Sequence, residues 1–309
     1  MKRFIRLFWY DFVNSIKCNR MLYVASIVLF VLGCVYFMGQ MGNLLQDYRY
    51  AQEYEQKQKE NGNKTEAEEE ISAVRIFSEY SEENFTGGSF VDYSLFLMRG
   101  MEKFEWKNKT GDKIDIPLMY IGFMILLSYL TGNYMFRNNG YHTVVRMKSR
   151  VAWLFSKIIN NIINIFIIYL IALLTAWLFS DKKLGIHLVV CGKLLRIDRC
   201  LLDTQHLLPV LAVIYGLGFL GAVTIAQLQI TVSLLTKNIS GFIVSVAIYI
   251  LSLFYVAVYM PGNSCMVQRT DIFMEGGFSP AVLVAVDIVL IAAAIVADIV
   301  IIRRKDMLE

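Results

Sequence analysis

Two carboxyls stand where a carboxyl is costly. Asp287 and Asp298 fall inside the apolar run Pro280–Ile302, eleven residues apart, so they share one face of the helix that such a run must form. Asp287 lies deeper and is a candidate for a translocation path or a cation site, or for a partner on a neighbouring helix. Asp298 is close to Arg303 along the chain, which points to pairing there or to snorkelling at the interface. Gln227 and Gln229, inside another apolar run, join Asp287 as substrate-path candidates. With Asn160, Asn161 and Asn164 they read more readily as hydrogen-bond glue between helices than as substrate ligands.

Other chemistry is sparse. His142, His187 and His206 fall in different connections, which argues against a shared metal site, and no His-Glu-x-x-His occurs. No catalytic set emerges, so no catalytic residue and no metal ligand is assigned. The chain has no Gly-x-x-x-x-Gly-Lys-Ser/Thr and therefore no phosphate cradle of its own. Gly216-Leu-Gly218-Phe-Leu-Gly221 spells a dinucleotide pattern, but within an apolar run rather than at a strand-to-helix turn. Gly218 and Ala222 read instead as a small-residue pair for close helix packing. Cys191 and Cys200 share one loop, where a local disulfide and free thiols are both open readings; Cys265 falls on the same side.

The elements that must hold these residues follow from composition. Of 309 residues, 56% are hydrophobic and only 18% charged, with mean hydropathy +0.50. Soluble domains run about 45–50% apolar and about 25% charged. A disordered chain and an ordinary soluble enzyme are both excluded. A net charge of +4 without a basic tail argues against nucleic-acid binding. Six stretches meet the length of about 20 mostly apolar residues that a membrane-spanning helix needs: Met21–Gln40, Ile116–Phe136, Val151–Phe179, Leu207–Leu235, Ile239–Met260 and Pro280–Ile302. The predicted fold is thus an all-α polytopic membrane protein with six transmembrane helices.

Positive charge sets the orientation. Lys2, Arg3, Arg6, Lys17 and Arg20 precede the first span; Arg137, Arg146, Lys148 and Arg150 follow the second; Lys237 lies between the fourth and fifth, and Arg303, Arg304 and Lys305 follow the sixth. All fall on one side if N- and C-termini are both inside. The segment 41–115 then forms an acidic extracellular insert, with Glu66, Glu68, Glu69 and Glu70, while the loop 181–206 is discordantly basic. Within the insert, Thr65-x-x-Glu68 has capping-box spacing, Phe90–Trp106 reads as an amphipathic aromatic segment, and Asn63, Asn84 and Asn108 open sequons read as chance. No cleavable signal peptide is expected, because the basic start runs directly into a full-length span. Residues 1–20 read as a cytoplasmic amphipathic elbow helix, with Phe4, Ile5, Phe8, Trp9, Phe12, Val13 and Ile16 on its membrane side, followed by the first span at 21–40. The remaining five-span core occupies 116–309, with a short amphipathic segment at 261–279 ahead of Pro280.

Three stretches carry a family resemblance. The connection after span two contains Asn138-Asn139-Gly140 and then Arg150-Val-Ala-Trp153-Leu-Phe-Ser-Lys157. The turn between spans four and five reads Ser233-Leu-Leu-Thr-Lys237-Asn238, and the chain closes with Arg303-Arg304-Lys305-Asp306. The chain resembles the permease subunits of type-2 ABC exporters, of the bacterial drug or antimicrobial-peptide export and immunity type. The resemblance implies a coupling loop at about 137–150, in which Arg137, Gly140, Tyr141, Arg146, Lys148 and Arg150 engage a separate ABC ATPase subunit. It implies a second permease copy or paralogue, membrane lipids as neighbours, no cofactor on this chain, and ATP and Mg on the partner ATPase. It also implies a bacterial plasma-membrane location and re-entrant structure within 261–279. The expected activity is export of an amphipathic peptide, drug or lipid. The alternative is a non-transporting receptor that senses a signal with its extracellular insert.

Overall fold

A computed structural model of the chain describes residues 2–61, 88–101, 117–135, 149–182, 210–274 and 276–304. The described residues form helices α1 (Lys2–Asn61), α2 (Phe90–Met98), α3 (Leu118–Met135), α4 (Arg150–Phe179), α5 (Gly218–Leu235), α6 (Asn238–Phe254) and α7 (Pro280–Arg304). A π-helical turn, Ala212–Leu217, leads into α5, and 3-10 turns at Pro261–Asn263 and Val267–Arg269 follow α6. Four helices are long and apolar enough to cross a membrane: Phe8–Asn43 within α1, Arg150–Phe179, Ala212–Leu235 and Pro280–Arg304. The other two expected spans, α3 and α6, are apolar but shorter.

The expected elbow at 1–20 and span at 21–40 are one unbroken helix that continues to Asn61, the residue before Gly62. Its inward stripe changes character along its length. Asp11, Ser15, Asn19 and Ser26 are buried first, then Phe30, Cys34, Phe37 and Met41, all near the i, i+3/i+4 repeat of a single face. Ile5, Trp9, Val13 and Ile16 are exposed on the opposite side. The polar half of the stripe meets α4: Ser156 Oγ donates to Asp11 Oδ2 at 3.1 Å, Lys157 Nζ lies 3.4 Å from Asp11 Oδ1, and Asn164 Nδ2 donates to Ser15 Oγ at 2.6 Å.

Contacts at the two ends of the bundle show that α1 and α3 through α7 alternate in direction. At one end, the start of α4 (Trp153, Leu154, Ile158) packs with the end of α5 (Ile230, Leu234) and the end of α7 (Ile302). There Asn238, at the start of α6, donates through Nδ2 to Gly132 O near the end of α3 at 2.9 Å. At the other end, Tyr120 near the start of α3 donates to Gly262 O at 3.2 Å, and Asp181 N, just past α4, donates to Gly88 O at 3.1 Å. The turn between α5 and α6 requires glycine at Gly241, where a Cβ would run into Ser233 Oγ and lie 2.7 Å from Gln229 O.

The second end carries a cap. α2 starts with a capping box, Asp92 N donating to Ser89 Oγ at 3.2 Å and Ser89 N to Asp92 Oδ2 at 2.8 Å. All residues of α2 are buried, so this part of the expected amphipathic segment is instead a short helix enclosed on every side. The Phe37 ring stacks on Phe96 at 4.7 Å and meets Tyr93 edge-on at 5.0 Å, which explains why an aromatic helix docks there. The capping box at Thr65, the three sequons and most of the insert lie outside the described residues.

Candidate functional site

The carboxyls of α7 face α5. Asp287 is 1% exposed and Asp298 0%, and the shared face read from their spacing is the one packed on α5. Asp298 does not snorkel towards Arg303. Its Oδ2 accepts from Gln227 Nε2 on α5, and its Oδ1 is buried with no hydrogen-bond partner. Proximity in sequence to Arg303 gave the wrong partner because the face of the helix, not the distance along it, decides which group a side chain meets. Asp287 lies about three turns along, where the Thr224 hydroxyl of α5 and the Ser264 hydroxyl of the following connection stand beside it. Thr224 Oγ1 also lies 2.9 Å from Leu220 O and Ser264 Oγ 2.6 Å from Pro261 O, so each hydroxyl can donate either to the carboxyl or to a backbone carbonyl.

Glycine allows this junction to form. A Cβ on Gly221 would run into Ser264 Oγ and lie 2.9 Å from Cys265 Sγ, so α5 can accept the connection only there. Gly218 instead faces the Tyr169 hydroxyl of α4, and its carbonyl accepts from Cys265 Sγ at 3.6 Å. The π turn Ala212–Leu217 lies directly before this contact, in a class of helix irregularity that recurs at functional sites.

Gln227 and Gln229 are not brought together. Gln229 points away from α7 and donates through Nε2 to Ser128 O of α3 at 2.8 Å, beside Asn238 on Gly132 O. Both amides thereby cover carbonyls of the last turns of α3. The asparagines of α4 largely act as the expected glue. Asn161 Nδ2 donates to Thr131 Oγ1 at 3.3 Å, and Asn164 Oδ1 accepts from Tyr23 Oη at 2.6 Å. Asn160 is the exception: it is fully buried, and both amide atoms lack a partner.

Sequence reasoning missed Arg269. It is 0% exposed, and its side chain ties the connection after α6 to the end of α6 and to the residues after α2. Nη2 donates to Leu253 O at 2.9 Å, Nε to Met101 O at 2.9 Å, and Nη1 to Ser252 O and Asn263 Oδ1. The guanidinium thus satisfies the open carbonyls at the C-terminal end of α6, where a cation is favoured. Asn263 Nδ2 covers the next ones, Ala257 O at 2.6 Å and Tyr255 O at 3.3 Å. These donors explain why α6 ends at Phe254, ahead of the expected Met260. Burial pushes the Arg269 guanidinium down to about 10, still charged at neutral pH. The signal available in sequence was a lone arginine, flanked by Asn263 and Gln268, in a connection otherwise rich in apolar and small residues.

Of the residues expected to engage an ATPase, Arg150 opens α4 behind the N-cap Ser149, whose Oγ accepts from Ala152 N at 3.3 Å. Arg137, Gly140, Tyr141, Arg146 and Lys148 lie outside the described residues, as do Cys191 and Cys200. Cys265 is a buried free thiol, and burial first, then the charge of Asp287, pushes it well above its ordinary value. No cluster of three or more His, Cys, Asp or Glu able to hold a metal occurs among the described residues. No protein-family profile, curated protein or solved structure matches the chain.

Proposed function

We propose that this chain is the membrane-spanning permease subunit of an ATP-driven exporter, crossing a bacterial plasma membrane six times with both termini inside. The observation that carries the reading is the buried polar seam between α5 and α7, where Asp287, Asp298 and Gln227 are enclosed. Ionisable residues are costly at that depth, and substrate or ion pathways are one place where they are kept. The basic connection at 137–150 supplies the coupling element for a separate ATPase, since the chain has no nucleotide motif of its own. Directly behind that connection, Asp11 of α1 is bonded to Ser156 and Lys157 of α4. A push on the loop therefore reaches two helices at once. The cargo is an amphipathic peptide, drug or lipid, moved between inward and outward arrangements of a permease pair.

The test is to find whether a neighbouring reading frame encodes an ATP-binding subunit and to reconstitute the chain with it, reading ATP-dependent movement of a fluorescent cationic peptide across proteoliposomes. Transport that depends on both chains, and that falls with Arg146→Glu while both chains still fold, is the expected result. A chain that purifies alone, recruits no ATPase and moves nothing overturns the reading in favour of a receptor that uses its insert.

A further inference from the structure

Lys17 and Arg20 lie one turn apart on α1, and both are exposed. Their height in the bundle follows from bonds on the other side of that helix. Asn164 of α4 is bonded to Ser15 and to Tyr23, so the stretch of α1 between those two residues lies level with it. Asn161, one turn before Asn164, is bonded to Thr131 of α3. The neighbouring carbonyl, Gly132 O, accepts from Asn238, the first residue of α6. Lys17 and Arg20 therefore stand about one turn, or about 4.5 Å, further into the bundle than the end at which α6 begins.

The face they interrupt is apolar on both sides of them. Trp9, Val13 and Ile16 are exposed before the pair, and Val24, Ile27 and Val28 after it. Charge on an outward, apolar face at this depth is costly unless the side chain reaches an opposite charge. The nearest carboxyl along α1, Asp11, is bonded to Ser156 and Lys157 on the inward side. Among the described residues, neither Lys17 nor Arg20 forms an ion pair.

We propose that Lys17 and Arg20 form a binding site for the headgroup of an anionic phospholipid, such as phosphatidylglycerol, in the leaflet next to the N-terminus. The planar fork of Arg20 takes the phosphate oxygens, and Lys17 adds a second positive charge beside it. The acyl chains then lie along Val24, Ile27 and Val28. A lipid brings negative charge and hydrocarbon together, which is what a cationic pair set within an apolar face demands; a polar protein surface meets only half of it. The site needs only that α1 crosses a bilayer, so it stands or falls apart from any ATPase.

The experiment titrates the purified full chain in a neutral detergent with phosphatidylglycerol, or with phosphatidylcholine of the same acyl chains, and counts bound lipid by native mass spectrometry. The parent chain should prefer phosphatidylglycerol. That preference should fall about fivefold with Lys17→Gln and about fivefold with Arg20→Gln, and vanish when the two are combined. Arg303→Gln with Arg304→Gln, which removes exposed cations at the end of α7, should leave it unchanged. Thermal midpoints in lipid-free detergent show that each variant folds, and the single variants decide should the combined one not fold. Equal binding of the two lipids by the parent, a preference that survives loss of both charges, or an equal loss in the α7 variant overturns the proposal.

Discussion

At Asn160, a buried amide makes no hydrogen bond in a bundle where its neighbours Asn161 and Asn164 make one and two across helix interfaces. An unpaired buried amide costs about 1–3 kcal/mol, so Asn160→Leu is expected to raise stability by about 1–2 kcal/mol. Denaturant or thermal unfolding in a fixed detergent reads this directly. A stabilised variant that no longer transports would assign the amide to cargo or to a second conformation, and a destabilised one would show that it is paired in the folded protein. Asp11 presents the opposite case. It is 3% exposed at its side chain and bonded to Ser156 and to Lys157, itself 6% exposed. Removing one partner of a buried pair costs about 3–5 kcal/mol, whereas replacing both by apolar groups is often neutral. Asp11→Leu should therefore destabilise strongly, and adding Lys157→Met should recover most of the loss. A double variant no better than the single one would mean that the two charges are not coupled.

Arg269 sets the behaviour of an element rather than of a point. Its guanidinium joins the end of α6, the residues after α2 and the 3-10 turn at Pro261–Asn263. Arg269→Ala is expected to release 261–279 while leaving the α1–α4 pair intact. Hydrogen exchange would then show amides of the connection exchanging at least tenfold faster, with those of α4 unchanged. Arg269→Lys should restore little, since a single ammonium cannot reproduce the fork. Equal exchange in the variant and the parent would reject this role. The same element shows what sequence could and could not convey. Helices with long apolar runs were legible almost to the residue: Val151–Phe179 is Arg150–Phe179, and Pro280–Ile302 is Pro280–Arg304. The shared face of Asp287 and Asp298 was legible too, because helical period alone fixes it. The end of α6 was not, because side-chain donors beyond it in the following connection, Asn263 and Arg269, decide where its carbonyls stop needing the helix. Nor was the burial of α2, which depends on Phe37 and Tyr93 meeting across nearly the whole insert.

At the scale of the molecule, the open question is how many helices cross. α3 and α6 have 18 and 17 residues, and at 1.5 Å per residue they reach only about 27 and about 26 Å, short of the roughly 30 Å hydrocarbon layer. Yet the bundle alternates in direction through both of them. Exposed aromatics also gather toward its two ends: Trp9 and Tyr10 at one, Tyr36, Trp177, Tyr255 and Tyr259 at the other. Such rings favour the two interfaces of a bilayer. A modest shortfall in length is met by local thinning of the bilayer at small cost, so both short helices are expected to cross. The two topologies differ in a way that chemistry can read. With six crossings, cysteines placed at Ser149, Lys237 and Arg304 lie on the side of the N-terminus, and those at Ser180 and Asp271 on the other. With only the four long helices crossing, Ser149 and Lys237 change sides while Asp271 and Arg304 do not. A membrane-impermeant maleimide added to intact cells, on a background without native cysteines, should label positions 180 and 271 and spare 149 and 237 until the membrane is opened. Labelling of 149 and 237 from outside would remove α3 and α6 as spans, and would leave the basic 137–150 connection on the wrong side to meet any ATPase.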